Sequence, residues 1–415
     1  MSHTMITFLG KGTRRDGGYR KANYKFKSGN TYSTQFFGLA LLKELAATGN
    51  PVDHLVVLGT GSSIWDALVL DEVIDEGLWD KLNERVEKGN VDDELLAGIA
   101  PEVERSFAKG YGQLKVSLTT IPFGRNQQEQ ITILQKMADL VETGDTVTID
   151  ISHGFRILPM IGLVSALFLT QLKEVTISGL YYGALEMTEN DCTPVVSLDG
   201  LLNISQWLNA ISAFQHSGNY GVFSPLLNDS NTSQLLSQAA FLEKVIEISQ
   251  ARGNLRKARK QFDQLDREDP IFPLFSNRLR SATDWVDIQN FAGRQLAAAK
   301  NALTYGNYVR AAALAVESVI SRTVSLKGLN PSNCGYKERS NAKDMLNKEA
   351  NILRKTSEED FLKTYRELRE LRNCLAHGLR SEDSIFDLQQ TLSSEKNLSD
   401  RLNTLIEKLE DIIGC

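Results

Sequence analysis

The chain has 415 residues, enough for roughly two or three domains of ordinary size. Hydrophobic residues make up 42% and charged residues 24%, proportions ordinary for a soluble globular protein. The net charge of −6 excludes a global positive field that would gather polyanions, so any nucleic-acid contact must be local, in a groove or at a dimer seam. The four cysteines, at 192, 334, 374 and 415, lie far apart without metal-ligand spacing, as expected of free thiols in a reducing cytoplasm. The five histidines are equally scattered, and no zinc or two-metal site is expected. The start lacks the long apolar core of a signal peptide.

Residues 6–9 form a short apolar run that ends at Gly10-Lys11-Gly12-Thr13, the pattern of a strand followed by a glycine-rich loop. Residues 14–34 are polar, basic and aromatic, and read as a loop or hairpin carrying Tyr24 and Phe26. Helical periodicity covers 36–46. A second strand is expected over 54–58, followed at once by Gly59-Thr60-Gly61-Ser62-Ser63. Helices are expected over 64–89 and 91–109, a strand over 114–119, a helix over 125–142 and a strand over 146–150. That strand breaks at Ser152-His153-Gly154-Phe155-Arg156 into 157–172, the most apolar run of the chain. It is shorter than the roughly 20 residues that span a bilayer and has Pro159 near its start, so a buried helix packed on a sheet is expected. A strand over 175–180 closes the series.

Strands alternating with helices predict a Rossmann-like α/β domain over 1–200, its sheet largely parallel and covered on both faces. Ligands of such sheets sit beyond the carboxyl ends of the strands, where the loops 10–13, 59–63 and 152–156 must lie. Glycines permit close backbone approach, and the following helices aim free N–H groups at an anion. Ser62 and Ser63 can donate to a phosphate, while Lys11, His153 and Arg156 can supply charge. Each loop alone also fits an ordinary strand-to-helix turn; three at one edge favour a phosphate-bearing ligand. The dinucleotide fingerprint is incomplete, because Ile64 stands where its third glycine belongs, and Gly10-Lys11-Gly12-Thr13 lacks Walker spacing.

After residue 200 helical patterns dominate. A connecting region over 201–295 holds helices at 201–215 and 232–265, with a Gly/Ser/Asn-containing link between them. The second helix carries Arg252, Arg256, Lys257, Arg259 and Lys260, a cluster that reads as a solvated face before it reads as an RNA contact. After a turn at Asp269-Pro270-Ile271-Phe272-Pro273, helices are expected over 276–303, 307–327, 340–354, 358–377 and 395–413. Short connections make this an antiparallel bundle, with 296–415 as its own domain.

The chemistry points to residues 366–378. Leu368, Leu371 and Leu375 recur at helical spacing and Gly378 follows as a natural stop. Asn373 and His377 lie about 40° apart around that helix, and the long Arg372 side chain can swing toward them. An imidazole, a permanent cation and an amide suit proton transfer beside a phosphate. A cation and a histidine in a last turn also simply favour the helix dipole.

Arg372-Asn373-x-x-x-His377 matches the RNxxxH motif of HEPN ribonucleases, and Asp150-Ile151-Ser152-His153-Gly154 resembles the DxTHG signature of CRISPR-associated CARF proteins, with Ser for Thr. In this order the two motifs make the chain resemble the CARF–HEPN ribonucleases of type III CRISPR systems. The resemblance implies a CARF sensor whose loops (Gly10, Lys11, Gly12, Thr13; Gly59, Thr60, Gly61, Ser62, Ser63; Ser152, His153, Gly154, Arg156) bind a cyclic oligoadenylate across a homodimer, with cyclic tetra-adenylate the expected ring. It implies a HEPN domain that cleaves single-stranded RNA without a metal or catalytic cofactor. In that reading His377 is the general acid/base, Arg372 stabilises the phosphate and Asn373 orients one or the other. A nucleotide-sensing regulator without ribonuclease activity, or a sensor that also degrades its activator through His153, remains a competing reading. No helix-turn-helix with basic and amide residues for base edges is found.

Overall fold

The computed structural model describes residues 2–12, 19–68, 76–352, 360–378 and 386–413. The chain divides into two compact units, Met1–Ser205 and Gln206–Cys415.

The first unit is built on β1 (His3–Leu9), β2 (Ala22–Lys25), β3 (Thr31–Thr34), α1 (Phe37–Ala47), β4 (His54–Gly59), α2 (Glu76–Lys88), α3 (Asp93–Tyr111), β5 (Lys115–Thr120), α4 (Gln127–Asp139), β6 (Thr146–Asp150), α5 (Leu158–Leu172), β7 (Thr176–Gly183) and β8 (Thr193–Ser197). The eight strands form one sheet in the order β3-β2-β8-β7-β6-β1-β4-β5. The run β7-β6-β1-β4-β5 is parallel throughout. Of these, β1 and β4 are buried almost throughout and read as apolar runs, as central strands covered on both faces do, whereas β5 and β6 alternate polar and apolar residues. In β1 and β4 alternate residues feed opposite cores. Met5, Leu55 and Val57 face α1 and α3, while Ile6, Phe8, Val56 and Leu58 face α4 and α5.

The sheet departs from the expected parallel array at one end. Residues 22–34 form the hairpin β2–β3, and β8, which the sequence reading does not contain, pairs antiparallel with β7 and parallel with β2. Residues 64–89 are not one helix: a 3₁₀ turn occupies Trp65–Leu68 and α2 begins at Glu76. The apolar helix α5 is buried on one face only. Leu158, Ile161, Ala166 and Leu169 pack on the sheet, whereas Met160, Val164, Phe168 and Leu172 form an exposed stripe at i,i+4 spacing.

From α6 (Asp199–Ser217) onward the chain is helical: α7 (Ser230–Lys244), α8 (Ile248–Glu268), α9 (Phe272–Ala282), α10 (Phe291–Thr304), α11 (Tyr308–Leu326), α12 (Tyr336–Ile352), α13 (Asp360–His377), α14 (Leu388–Thr391) and α15 (Glu395–Ile413). One hydrophobic core runs through the second unit. Two of the expected long helices are broken. The 232–265 segment splits at residues 245–247, where Ile246 takes a φ of 67°. The 276–303 segment is α9, a 3₁₀ turn at Asp284–Asp287, and α10, which Asn290 caps by accepting from the Gly293 amide. Part of the basic cluster on α8 secures this second break. Arg252 Nε donates to the Val286 carbonyl at 2.7 Å, and Arg259 donates to Asp287 at 2.8 Å and to the Thr283 carbonyl at 3.2 Å. Arg256, Lys257 and Lys260 face solvent.

Candidate functional site

The parallel order β6-β1-β4 sets the three glycine-bearing loops side by side at the carboxyl edge of the sheet. They touch through backbone. A Cβ on Gly10 would lie 2.8 Å from the Gly154 amide nitrogen, so only glycine lets these two loops meet. The Ile64 amide donates to the Gly10 carbonyl at 3.0 Å, and the Gly61 carbonyl accepts from the Val91 amide at 3.0 Å. A Cβ on Gly59 would run into the Trp65 ring at 2.8 Å. Lys11 and Gly12 are exposed, and Thr13 lies outside the described residues.

The two serines after β4 have different roles. Ser63 is buried, donates to the Leu9 carbonyl at 2.7 Å and accepts from the Thr60 amide at 2.9 Å, so its hydroxyl holds the β1 and β4 loops together and is not a free phosphate donor. Ser62 stays half-buried, 3.2 Å from the Thr60 hydroxyl.

The segment Asp150–Gly154 ties three neighbours to β6. Asp150 is fully buried; its carboxylate accepts from the Thr7 hydroxyl at 2.5 Å and from the Ser152 amide at 2.7 Å. Burial pushes its pKa up to about 6, against the pull of the Ser152 and Thr7 hydrogen bonds. The Ser152 hydroxyl oxygen accepts from the Gly183 amide at the end of β7, at 2.7 Å. His153 Nε2 accepts from the Phe37 amide at the start of α1, at 3.0 Å, with its ring 5.6 Å from that of Phe36. This bond places the ring proton on Nδ1, and desolvation lowers the imidazole pKa to about 4. His153 thus caps α1 as a neutral acceptor, where the sequence alone had offered it as a source of charge. Gly154 has a φ of 112°, and a Cβ there would sit 2.5 Å from Leu158 Cδ1.

Beyond this tied segment lies an open one. Arg156 is exposed, and Phe155, 36% exposed, packs 5.2 Å from Phe123 of the loop after β5. Arg125 lies over the Phe123 ring at 4.3 Å. Two aromatic rings and two guanidinium groups thus gather at the same edge.

In the second unit the polar residues of α13 divide along the helix. Tyr365, Leu368 and Leu371 are fully buried and Cys374 nearly so. Arg401 of α15 clasps Glu367 through both carboxylate oxygens at 2.5 Å, and Arg366 pairs with Glu370 at 3.0 Å. Arg369 and the Tyr365 hydroxyl both donate to Asn347 of α12, at 2.6 and 3.2 Å. In the last turn and a half the pattern stops. Asn373 and His377 are exposed, and Arg372 is half-buried with its Nε enclosed and without a hydrogen-bond partner. None of the three side chains has a hydrogen bond among the described residues. Gly378 follows at a φ of 80°, the left-handed C′ glycine expected from sequence. No group of three or more His, Cys, Asp or Glu side chains that could hold a metal occurs among the described residues. Nor, among those residues, is any helix long and apolar enough to cross a membrane.

Residues 4–186 match the family model described as "CRISPR system endoribonuclease Csx1, CARF domain". The chain is a CRISPR-associated, CARF-containing protein. It is also 28% identical over 229 residues to "CRISPR-associated protein MJ1674" of Methanocaldococcus jannaschii, a match that covers 51% of this chain and 36% of that protein. The chain thus spans little more than a third of the length of the curated relative it matches.

The CARF match takes in all three sheet-edge loops and also Phe123, Arg125 and Phe155, which the sequence reading left out of the site. A signal for them exists: Ile121-Pro122-Phe123-Gly124-Arg125 sets an aromatic and a cation around a glycine directly after a strand.

Proposed function

We propose that this CARF-containing protein is a cyclic-oligoadenylate-activated endoribonuclease that cuts single-stranded RNA, without a metal, in type III CRISPR defence. The carrying observation is the unengaged end of α13. Every described polar side chain from Arg366 to Arg369 is held by a neighbour or an ion pair, whereas Arg372, Asn373 and His377 are left without partners among the described residues. Side chains left open at a helix end, one of them a guanidinium with an enclosed unpaired Nε, suit an anionic substrate.

In this reading a base takes the proton from an RNA 2′-OH, that oxygen attacks the adjacent phosphorus, and an acid protonates the departing 5′-oxygen. The products are a 2′,3′-cyclic phosphate and a 5′-hydroxyl end. Arg372 holds the charge that grows on the non-bridging oxygens, and His377 carries the proton. One chain supplies one such histidine, and a two-fold seam supplies the acid and the base together. The exposed stripe Met160, Val164, Phe168 and Leu172 supports self-association of the sensor unit, since monomers rarely leave a contiguous apolar face uncovered. In the sensor, Lys11, Ser62, Arg125 and Arg156 are the groups free to meet phosphates, and Phe123 and Phe155 offer faces for adenine. Cyclic tetra-adenylate is the proposed ring. His153, engaged as a neutral acceptor, does not favour the reading in which the sensor cleaves its activator.

Cleavage of a labelled single-stranded RNA, assayed with and without each cyclic oligoadenylate alongside the mass of the particle in solution, tests this function. A monomer that cuts equally well without activator would overturn it.

A further inference from the structure

Arg369 lies just before the open end of α13, and it is held differently from its neighbours. Arg366 and Arg401 each answer a carboxylate, Glu370 and Glu367. Arg369 answers a neutral amide: its Nη1 donates to Asn347 Oδ1 of α12 at 2.6 Å, and it forms no ion pair among the described residues. The buried Tyr365 hydroxyl donates to the same oxygen at 3.2 Å. A guanidinium can only donate, so the Asn347 amide must turn its oxygen toward Arg369. Its NH₂ group is left without a hydrogen bond among the described residues.

Held this way, Arg369 keeps its whole charge while its side chain is fixed in place. Arg372 follows three residues on, a neighbour on the helix surface. Both charges reach the Tyr365 phenol, whose pKa burial raises and the two guanidinium groups lower. Of the carboxylates whose charge reaches that phenol, Glu317 is paired with Arg339, and Asp344 stands exposed without an ion pair among the described residues. Two like charges at this spacing work against the helix. Arg369, the Asn347 NH₂ group and Arg372 together offer donors and no free acceptor, the pattern that phosphate oxygens fit.

We propose that Arg369, positioned by Asn347 and Tyr365, binds the RNA phosphate next to the one that is cut. The inference rests on the endoribonuclease reading and deepens it. Arg372 attends the scissile phosphate and Arg369 its neighbour, so the strand is held by two successive phosphates. Arg369 touches no reacting atom; its contribution is to binding.

The test is binding of a short single-stranded RNA to the full-length His377→Ala chain over a range of salt concentrations, with and without cyclic tetra-adenylate. Arg369→Gln and Asn347→Asp are each added to that chain. Asn347→Asp keeps the oxygen that holds Arg369 and Tyr365, but it neutralises the guanidinium and removes the free NH₂ group. Each variant should weaken binding about tenfold and lower the slope of log K against log salt by about 0.7, the share of one single-strand phosphate, without earlier melting. With His377 restored, each should raise KM about tenfold and leave kcat at saturating RNA unchanged. Parent affinity and salt slope in both variants would overturn the inference and leave the cleavage reading standing. So would a loss confined to Arg369→Gln and accompanied by an earlier melt, which would make the residue structural. If the His377→Ala chain itself binds no RNA in either condition, the cleavage reading fails and the inference with it.

Discussion

The end of β6 and the end of α13 carry the two motifs of this chain, and their polar side chains meet opposite fates. After β6, Asp150, Ser152 and His153 each hold a neighbouring element: β1 through Thr7, β7 through Gly183 and α1 through Phe37. At the end of α13, Arg372, Asn373 and His377 hold nothing among the described residues. A motif can therefore mark a site in two ways, by building the frame behind it or by supplying the atoms that act. Substitution at the first should be read in stability, and substitution at the second in activity.

The largest expected effect is at α13. His377→Ala and Arg372→Ala should each lower the cleavage rate by about 10²- to 10⁴-fold, the usual weight of a proton-transfer group or a fixed donor, with circular dichroism and melting temperature unchanged. Asn373→Ala, which removes an orienting group, should cost less. A variant that melts early would show α13 to be frame as well, and the contrast would fail.

At β6 the opposite is expected. Asp150→Ala leaves the buried Thr7 hydroxyl and Ser152 amide unpaired and should destabilise the first unit by about 1–3 kcal/mol. Gly154→Ala, forced into a left-handed conformation against Leu158, should cost about as much. Denaturant melts that leave either variant as stable as the parent would show the segment free for ligand contact alone.

Between these extremes lie Arg125 and Arg156, at the sheet edge yet not tied to the frame. Arg125→Ala or Arg156→Ala should raise the cyclic oligoadenylate concentration for half-maximal cleavage about 5- to 10-fold, with no loss of stability. Superimposable activation curves would remove both residues from the sensor site.

The smallest effect is on pH dependence, and it belongs to the first unit. His54 and His153 are held neutral, with pKa values lowered from 6.5 to about 4 mainly by burial. Between those values the unfolded chain binds up to two more protons at these residues. Asp150, raised from 3.8 to about 6, lets the folded chain bind up to one more. The balance favours the unfolded state, so stability should fall as pH drops from 6.5 toward 4, by at most about 1.4 kcal/mol per pH unit. His54→Gln, which keeps a hydrogen-bond partner for Ser117 and cannot titrate, should flatten that slope. An equally steep curve would show that other groups carry it.

The central sheet was legible because β1 and β4 are nearly continuous apolar runs and β5 and β6 alternate polar with β-branched or apolar residues between turn and helix signals. The hairpin β2–β3 was legible only as one of two alternatives, a loop or a hairpin, and β8 not at all, since these strands are short, mixed in polarity and, in β8, contain Pro194. The break at residues 245–247 contains neither glycine nor proline, so no local signal marks it. The site shows the same limit. Sequence places Ser152 and His153 at the carboxyl edge of the sheet, but which way their polar atoms turn is decided by contacts 31 and 116 residues away. On α13 the spacing of Arg372, Asn373 and His377 follows from helix geometry alone, whereas the clasp of Glu367 by Arg401 requires the fold.

The most direct measurement is cleavage of a labelled single-stranded RNA in EDTA by the full-length chain and by His377→Ala, with and without cyclic tetra-adenylate. Activator should raise the rate of the parent chain, the ends should be 2′,3′-cyclic phosphate and 5′-hydroxyl, and His377→Ala should cut about 10²- to 10⁴-fold more slowly in both conditions. A strict need for a divalent metal, 5′-phosphate ends, or undiminished cutting by His377→Ala would contradict this mechanism.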